Sequence, residues 1–201
     1  MKFDADEVKA LYKKSWADHA PGPAVVLESE EGQRVRHEKL AEIRRDDAPS
    51  VSVLDLGCGL GALYDTLKRR WPGTMIRYHG VDIVEEFIDY AGKMHKDAQF
   101  SCVNVFDQEF NHEFDYTIIS GVFNNSIIDG EFLRKAVSWS FERSRIGIGF
   151  DFISSYANFV DERMSYFDPV DLLRWVIESL SRKVRLEHHF FRVNTAIFVY
   201  R

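Results

Sequence analysis

The residues of this chain whose types and spacing carry chemistry are Asp55, the alternate glycines Gly57, Gly59 and Gly61, and Asp82. An apolar run containing Val51, Val53 and Leu54 reads as a buried parallel strand and leads directly into Asp55 and the glycines. Glycine has no Cβ and tolerates positive φ, so such a turn passes close against a ligand where another side chain would block it. Beyond Gly61, the spacing of Leu63, Leu67 and Trp71 suits one face of a helix. Strand, glycine turn and helix in that order make a nucleotide-type pocket. Asp82 closes a second strand-like run, Tyr78-His79-Gly80-Val81, 21 residues beyond Gly61. A carboxylate at that place accepts hydrogen bonds from ribose hydroxyls.

The same glycines, with Ala62, satisfy a loose dinucleotide fingerprint. Asp55 argues against it, because a carboxylate two residues before the first glycine repels a pyrophosphate at the helix N-terminus. It favours a ligand with positive charge there. S-adenosylmethionine carries an α-ammonium and a sulfonium and no phosphate, and Asp82 serves the ribose of either cofactor. Cys58 in the turn reads as a small residue packed beside the ligand rather than a nucleophile.

The elements that must hold these residues alternate along the chain. Strand candidates lie near 51–55, 76–81, 98–103, 115–120 and 145–150, with helix-like segments near 61–71, 85–95 and 130–141. Such alternation predicts an α/β fold with a parallel sheet covered by helices on both faces. After a helical stretch at 169–180, runs at 183–191 and 195–200 are too close for a helical crossover and must form an antiparallel hairpin. The first 50 residues read as charged helices, one with an apolar face of Leu11, Tyr12 and Trp16, a break at Ala20-Pro21-Gly22-Pro23, and a second from Glu30 to Arg45. The expected organisation is one domain over 1–201, with 1–50 as a helical cap and 51–201 as the core.

Composition narrows the function classes. The chain has 201 residues, is 45% hydrophobic and 29% charged, and has a net charge of −6, which gives no electrostatic footprint for nucleic acid. It shows no signal-peptide core and no 18-residue apolar run, so a cytoplasmic protein without a membrane partner is expected. Two cysteines, Cys58 and Cys102, are too few for a disulfide framework or a metal centre.

With Val53-Leu54-Asp55-Leu56-Gly57-Cys58-Gly59-Leu60-Gly61 and a terminal hairpin, the chain resembles the class I S-adenosylmethionine-dependent methyltransferases over about residues 51–201. The resemblance implies a Rossmann-like, seven-stranded, mostly parallel sheet. It implies that Asp55, Gly57, Cys58, Gly59 and Gly61 face the methionine part of the cofactor, Asp82 the ribose and Ile83 the adenine. Asn104 and Val105, after the third strand, fall where the family contacts the adenine amino group. Ser120 and Gly121 would line the cofactor, and Phe123 and Asn124 the acceptor entry. A narrower similarity joins Gln33 and Arg36, Ser120 to Asn124, and Tyr166-Phe167-Asp168-Pro169 to small bacterial methyltransferases of unassigned substrate.

Methyl transfer from a sulfonium needs positioning and exclusion of water more than a catalytic triad. A hydroxyl or ammonium acceptor must also lose a proton, for which Asp151 at the end of the fifth strand is the candidate base; a turn-capping carboxylate is the alternative. Arg36 is placed to pair with the cofactor carboxylate, or is an ordinary surface arginine. Arg163 either binds an anionic acceptor or pairs with Asp161. Tyr12, Trp16 and Tyr156 either build a lid or are plain core. The reading is methyl transfer to oxygen or nitrogen of a small-molecule acceptor. The alternatives are an NAD-dependent oxidoreductase, which lacks an evident Tyr-x-x-x-Lys pair, and a non-catalytic S-adenosylmethionine-binding protein.

Overall fold

A computed structural model describes residues 4–20, 23–26 and 29–201. Pro21 and Gly22 of the expected break lie outside the described residues. Strands β1 (Ser50–Leu56), β2 (Met75–Asp82), β3 (Gln99–Cys102), β4 (Phe114–Ile119), β5 (Ser144–Ile153), β6 (Lys183–Phe191) and β7 (Asn194–Tyr200) form one sheet. Their order is β3-β2-β1-β4-β5-β7-β6. The first five are parallel, and β7 lies antiparallel between β5 and β6. The expected sheet and terminal hairpin are both present.

Alternation along β1 sends its side chains to two separate cores. Val51 and Val53 pack with Tyr78, Tyr116 and Phe198 on one face, and Leu54 and Leu56 with Ile119, Phe150 and Phe152 on the other. Helices α3 (Ala62–Arg70) and α5 (Gly130–Glu142) cover the two faces through Leu63 and Leu67, and through Leu133, Ala136 and Val137. Helix α4 (Glu85–Met94) follows β2. Helix α6 (Pro169–Ser179) starts on Asp168, whose carboxylate accepts from Val170 N at 2.8 Å, with Pro169 in the first turn where its missing N–H costs nothing.

Before the sheet lie α1 (Ala5–His19) and α2 (Glu30–Leu40), capped by Asp4 and Ser29. The second expected helix does not run to Arg45. It tightens into a 3-10 turn, Ala41–Ile43, where Trp71 Nε1 donates to Ala41 O at 3.0 Å and Ile43 is fully buried. A small third core, built on Val25, Val84 and Phe87 with Tyr12, Trp16, Val26 and Ile83 against it, fastens α1 and the 3-10 turn Pro23–Val26 to the carboxyl end of β2. The sheet order reverses between β1 and β4, which opens a crevice at their carboxyl ends beneath this N-terminal segment.

Candidate functional site

The glycine turn is tied to the end of β2 by its own backbone. Gly57 N and Cys58 N both donate to Val81 O, at 2.8 and 3.0 Å, and Gly59 N donates to Asp82 Oδ2 at 2.9 Å. Gly57 has φ +77°, and a Cβ there would stand 2.4 Å from Val122 Cγ2, so only glycine lets the chain pass. Asp82 Oδ1 accepts from Val84 N at 3.0 Å. Both oxygens keep a lone pair for a ligand, which suits a ribose diol.

Asp55 is 2% exposed and on the same face of β1 as Val53, where the neighbouring strand supplies Tyr78 to donate its hydroxyl to Asp55 Oδ2. Burial raises the Asp55 carboxyl to about 7, opposed by the Tyr78 hydrogen bond and assisted by Asp82. Burial also raises Asp82. Two desolvated carboxylates side by side, with no cation among the described residues in contact with either, fit a ligand that brings a positive charge to one and hydroxyl donors to the other. They do not fit a pyrophosphate. Residues Asp55 and Asp82 could thus hold the ammonium and ribose of S-adenosylmethionine.

Around them one pocket gathers Arg36, Asp55, Gly57, Cys58, Gly59, Asp82, Ile83, Asn104, Val105, Ser120 and Gly121, all sequence-predicted cofactor residues. Cys58 is buried and its thiol pushed well above its usual value by burial, which makes it packing and not a nucleophile. Asn104 uses its amide internally: Nδ2 donates to Asp107 at 2.5 Å and Oδ1 accepts from Phe106 N at 3.2 Å. Its remaining Oδ1 lone pair has no hydrogen-bond partner among the described residues. Gly61 is not on the pocket wall; with φ +81° it caps α3 and backs onto His95 and Phe100.

Four predicted residues are placed elsewhere. Phe123 is fully buried edge-on to Phe150, because Gly121 at φ +74° turns the chain so that Val122 reaches the pocket instead. Asn124 belongs to a bridge between loops, its carbonyl accepting from Ser165 N at 2.9 Å. Arg163, 86% exposed at its side chain, pairs with Asp161 and not with the pocket. Tyr156 is exposed against His188 and does not join a lid with Tyr12 and Trp16. The Tyr166-Phe167-Asp168-Pro169 element caps α6 and ties Phe167 N to Ile153 O at 2.9 Å, so it builds the frame and not the pocket.

Asp151 is fully buried and off the pocket wall. Its Oδ1 accepts from Gly121 N at 2.7 Å and its Oδ2 sits 2.6 Å from Arg36 Nε. A carboxylate so enclosed is not presented to an acceptor; it holds the guanidinium and the turn after β4. Arg36 in turn lies over Gly121, where a Cβ would be 2.9 Å from Nη2. The pocket also takes residues that sequence reasoning did not assign to binding: Val8 and Tyr12 from α1, Val26, Gln33 and His37 from α2, and an apolar end of Phe106, Ile128, Phe132 and Ala136. Gln33 carried the motif signal, and Tyr12 the apolar spacing; His37 carried none. Burial and the nearby Arg36 charge lower the His37 imidazole to about 3, so it is neutral at physiological pH. Among the described residues there is no cluster of His, Cys, Asp and Glu able to hold a metal.

A family model for the methyltransferase domain matches residues 53–139. Rv1506c, a provisionally named methyltransferase of Mycobacterium tuberculosis, is 31% identical over 153 residues, covering 71% of this chain and 89% of its own. Among solved structures, magnesium protoporphyrin IX methyltransferase from Synechocystis PCC 6803 with bound S-adenosylhomocysteine superposes with TM-score 0.68 at 14% identity, covering 98% of this chain and 100% of that one. The N-methyltransferase NodS from Bradyrhizobium japonicum WM9, in complex with S-adenosylhomocysteine, gives TM-score 0.68 at 14% identity, covering 95% and 98%. At these identities the solved structures show the shared fold.

Proposed function

Since the chain belongs to the class I S-adenosylmethionine-dependent methyltransferases, we propose that it transfers the methyl group to oxygen or nitrogen of a small-molecule acceptor held beneath the N-terminal segment. The observation that carries the acceptor size is the roof: Val8, Tyr12 and Val26 close over the same pocket that Asp55 and Asp82 line. A macromolecular chain would need an open groove there. In this reading residues 1–50 are a cap on a single catalytic domain.

When bound, S-adenosylmethionine supplies an electrophilic methyl group on a sulfonium that departs as a neutral thioether. Asp55 pairs with the ammonium, Asp82 accepts from the ribose hydroxyls, and Ile83 packs on the adenine. Arg36, oriented by Asp151, faces the carboxylate. Asp151 is therefore a positioning residue and takes no proton. The chain's own contribution to rate is orientation and restriction of water, which is what an in-line displacement with a good leaving group asks for; as the bond from acceptor to methyl forms and the bond from sulfur to methyl breaks, the acceptor's proton leaves to solvent.

The test is to incubate the protein with methyl-labelled S-adenosylmethionine and a whole-cell extract, then separate by size. The account expects label in compounds of low mass. Label confined to protein or nucleic acid would overturn it.

A further inference from the structure

We infer that the acceptor site is the hydrogen-bonding face made by Tyr12, Gln33, His37 and Ser120, and that it takes an uncharged acceptor bearing an O–H or N–H group, such as a phenol, an alcohol or a neutral azole. The inference rests on the methyltransferase reading above and deepens it.

Among the described residues lining the pocket, the charged side chains are Arg36, Asp55 and Asp82. Each has a partner: Asp151 for Arg36, Tyr78 for Asp55, and the Gly59 and Val84 amides for Asp82. With Arg36 given to the cofactor carboxylate in the reading above, no further cation among the described residues of the pocket receives an anionic acceptor, and a carboxylate or phosphate brought beside Asp55 and Asp82 would meet like charge. The polar groups without partners are neutral ones. His37 is 7% exposed, and among the described residues no group hydrogen-bonds its ring. Ser120 Oγ is buried and also without a partner. Gln33 and Tyr12 line the same pocket.

A buried polar group left unmade costs about 1–3 kcal/mol, so the buried Ser120 Oγ is arranged for a group that satisfies it, and Tyr12, Gln33 and His37 add neutral donors and acceptors to the same pocket. Gln33 and His37 are one helical turn apart on α2, which puts both on one side of the pocket. A neutral imidazole accepts from an O–H or N–H with one nitrogen and donates with the other. It also matches an uncharged acceptor without adding charge to the site.

The experiment follows the side-chain nitrogen resonances of His37 in protein labelled with 15N-histidine and saturated with S-adenosylhomocysteine. Phenol, imidazole at about pH 8.5 where it is uncharged, and benzoate serve as probes. Phenol and imidazole are expected to move the His37 signals, and benzoate to leave them in place. His37→Gln should lower phenol affinity at least tenfold with S-adenosylhomocysteine affinity within about threefold. Signals that move fully on adding S-adenosylhomocysteine and no further with any probe would make His37 a cofactor contact and overturn the proposal, as would equal binding of benzoate. Failure of S-adenosylhomocysteine to bind would bring down the methyltransferase reading itself, whereas cofactor binding without a phenol or imidazole response overturns the acceptor site alone.

Discussion

Asp55 is the residue on which the site's electrostatics turn. Its raised folded-state value, about 7 against 3.8 for the free group, means the folded chain holds a proton that the unfolded chain has released. That contribution to stability is complete below the unfolded value and is lost as pH rises through about 7. At pH 8 the ligand-free protein thus carries a strained anion that a bound ammonium relieves. Asp55→Asn is expected to raise the melting temperature of the ligand-free protein at pH 8 by several degrees while weakening S-adenosylmethionine at least tenfold. In the wild type, affinity should fall about tenfold between pH 8 and pH 6, since binding must then displace a proton; calorimetry at the two pH values reads it. An affinity independent of pH would remove the ammonium from Asp55. Asp82→Asn should cost roughly 1.5–3 kcal/mol of binding through its lost charged hydrogen bonds, and an unchanged dissociation constant would place the ribose elsewhere.

Arg36 and Asp151 join elements 115 positions apart in the chain, α2 and the end of β5, with Gly121 after β4 as the third partner. Removing one member of a buried pair leaves the other charge desolvated, so Asp151→Ala is expected to destabilise by about 3 kcal/mol. The double variant Arg36→Met with Asp151→Leu should regain most of that stability in denaturant unfolding. It should still lose at least tenfold in affinity for S-adenosylmethionine and little in affinity for methylthioadenosine, which lacks the amino-acid part with its carboxylate. Equal losses for both ligands would confine the pair to a structural role. This juxtaposition was illegible in the sequence because nothing local in either segment refers to the other. The glycine turn, Asp55 and Asp82 were legible because strand alternation and glycine's backbone freedom act over a few residues. Phe123 was misplaced for a local reason that sequence does not display: the positive φ of Gly121 exchanges the directions of Val122 and Phe123.

At the scale of the molecule, two large cores fix the sheet, and a third, built on only Val25, Val84 and Phe87, holds the N-terminal segment over the crevice. The alternation of strands and helices made the sheet and its reversed hairpin readable from the chain, since burying β1 to β5 on both faces demands apolar runs. The cap's inner face was not, because α1 and α2 are mostly polar and their pocket-lining residues are chosen by where they dock. Among the described residues few buried contacts hold α1, which implies a helix that opens at modest cost. Hydrogen exchange should therefore show slowed amides over 5–19 when S-adenosylhomocysteine binds, with β1 and β4 unchanged. Equal exchange with and without ligand would make the cap a fixed roof.

The most direct test of the central claim is titration calorimetry of the wild-type protein at pH 8 with S-adenosylmethionine, S-adenosylhomocysteine and NADH in turn. The account predicts one-to-one binding of the first two in the micromolar range and none of NADH, because Asp55 welcomes an ammonium where a pyrophosphate would have to sit. Binding of NADH, or of none of the three, would contradict it.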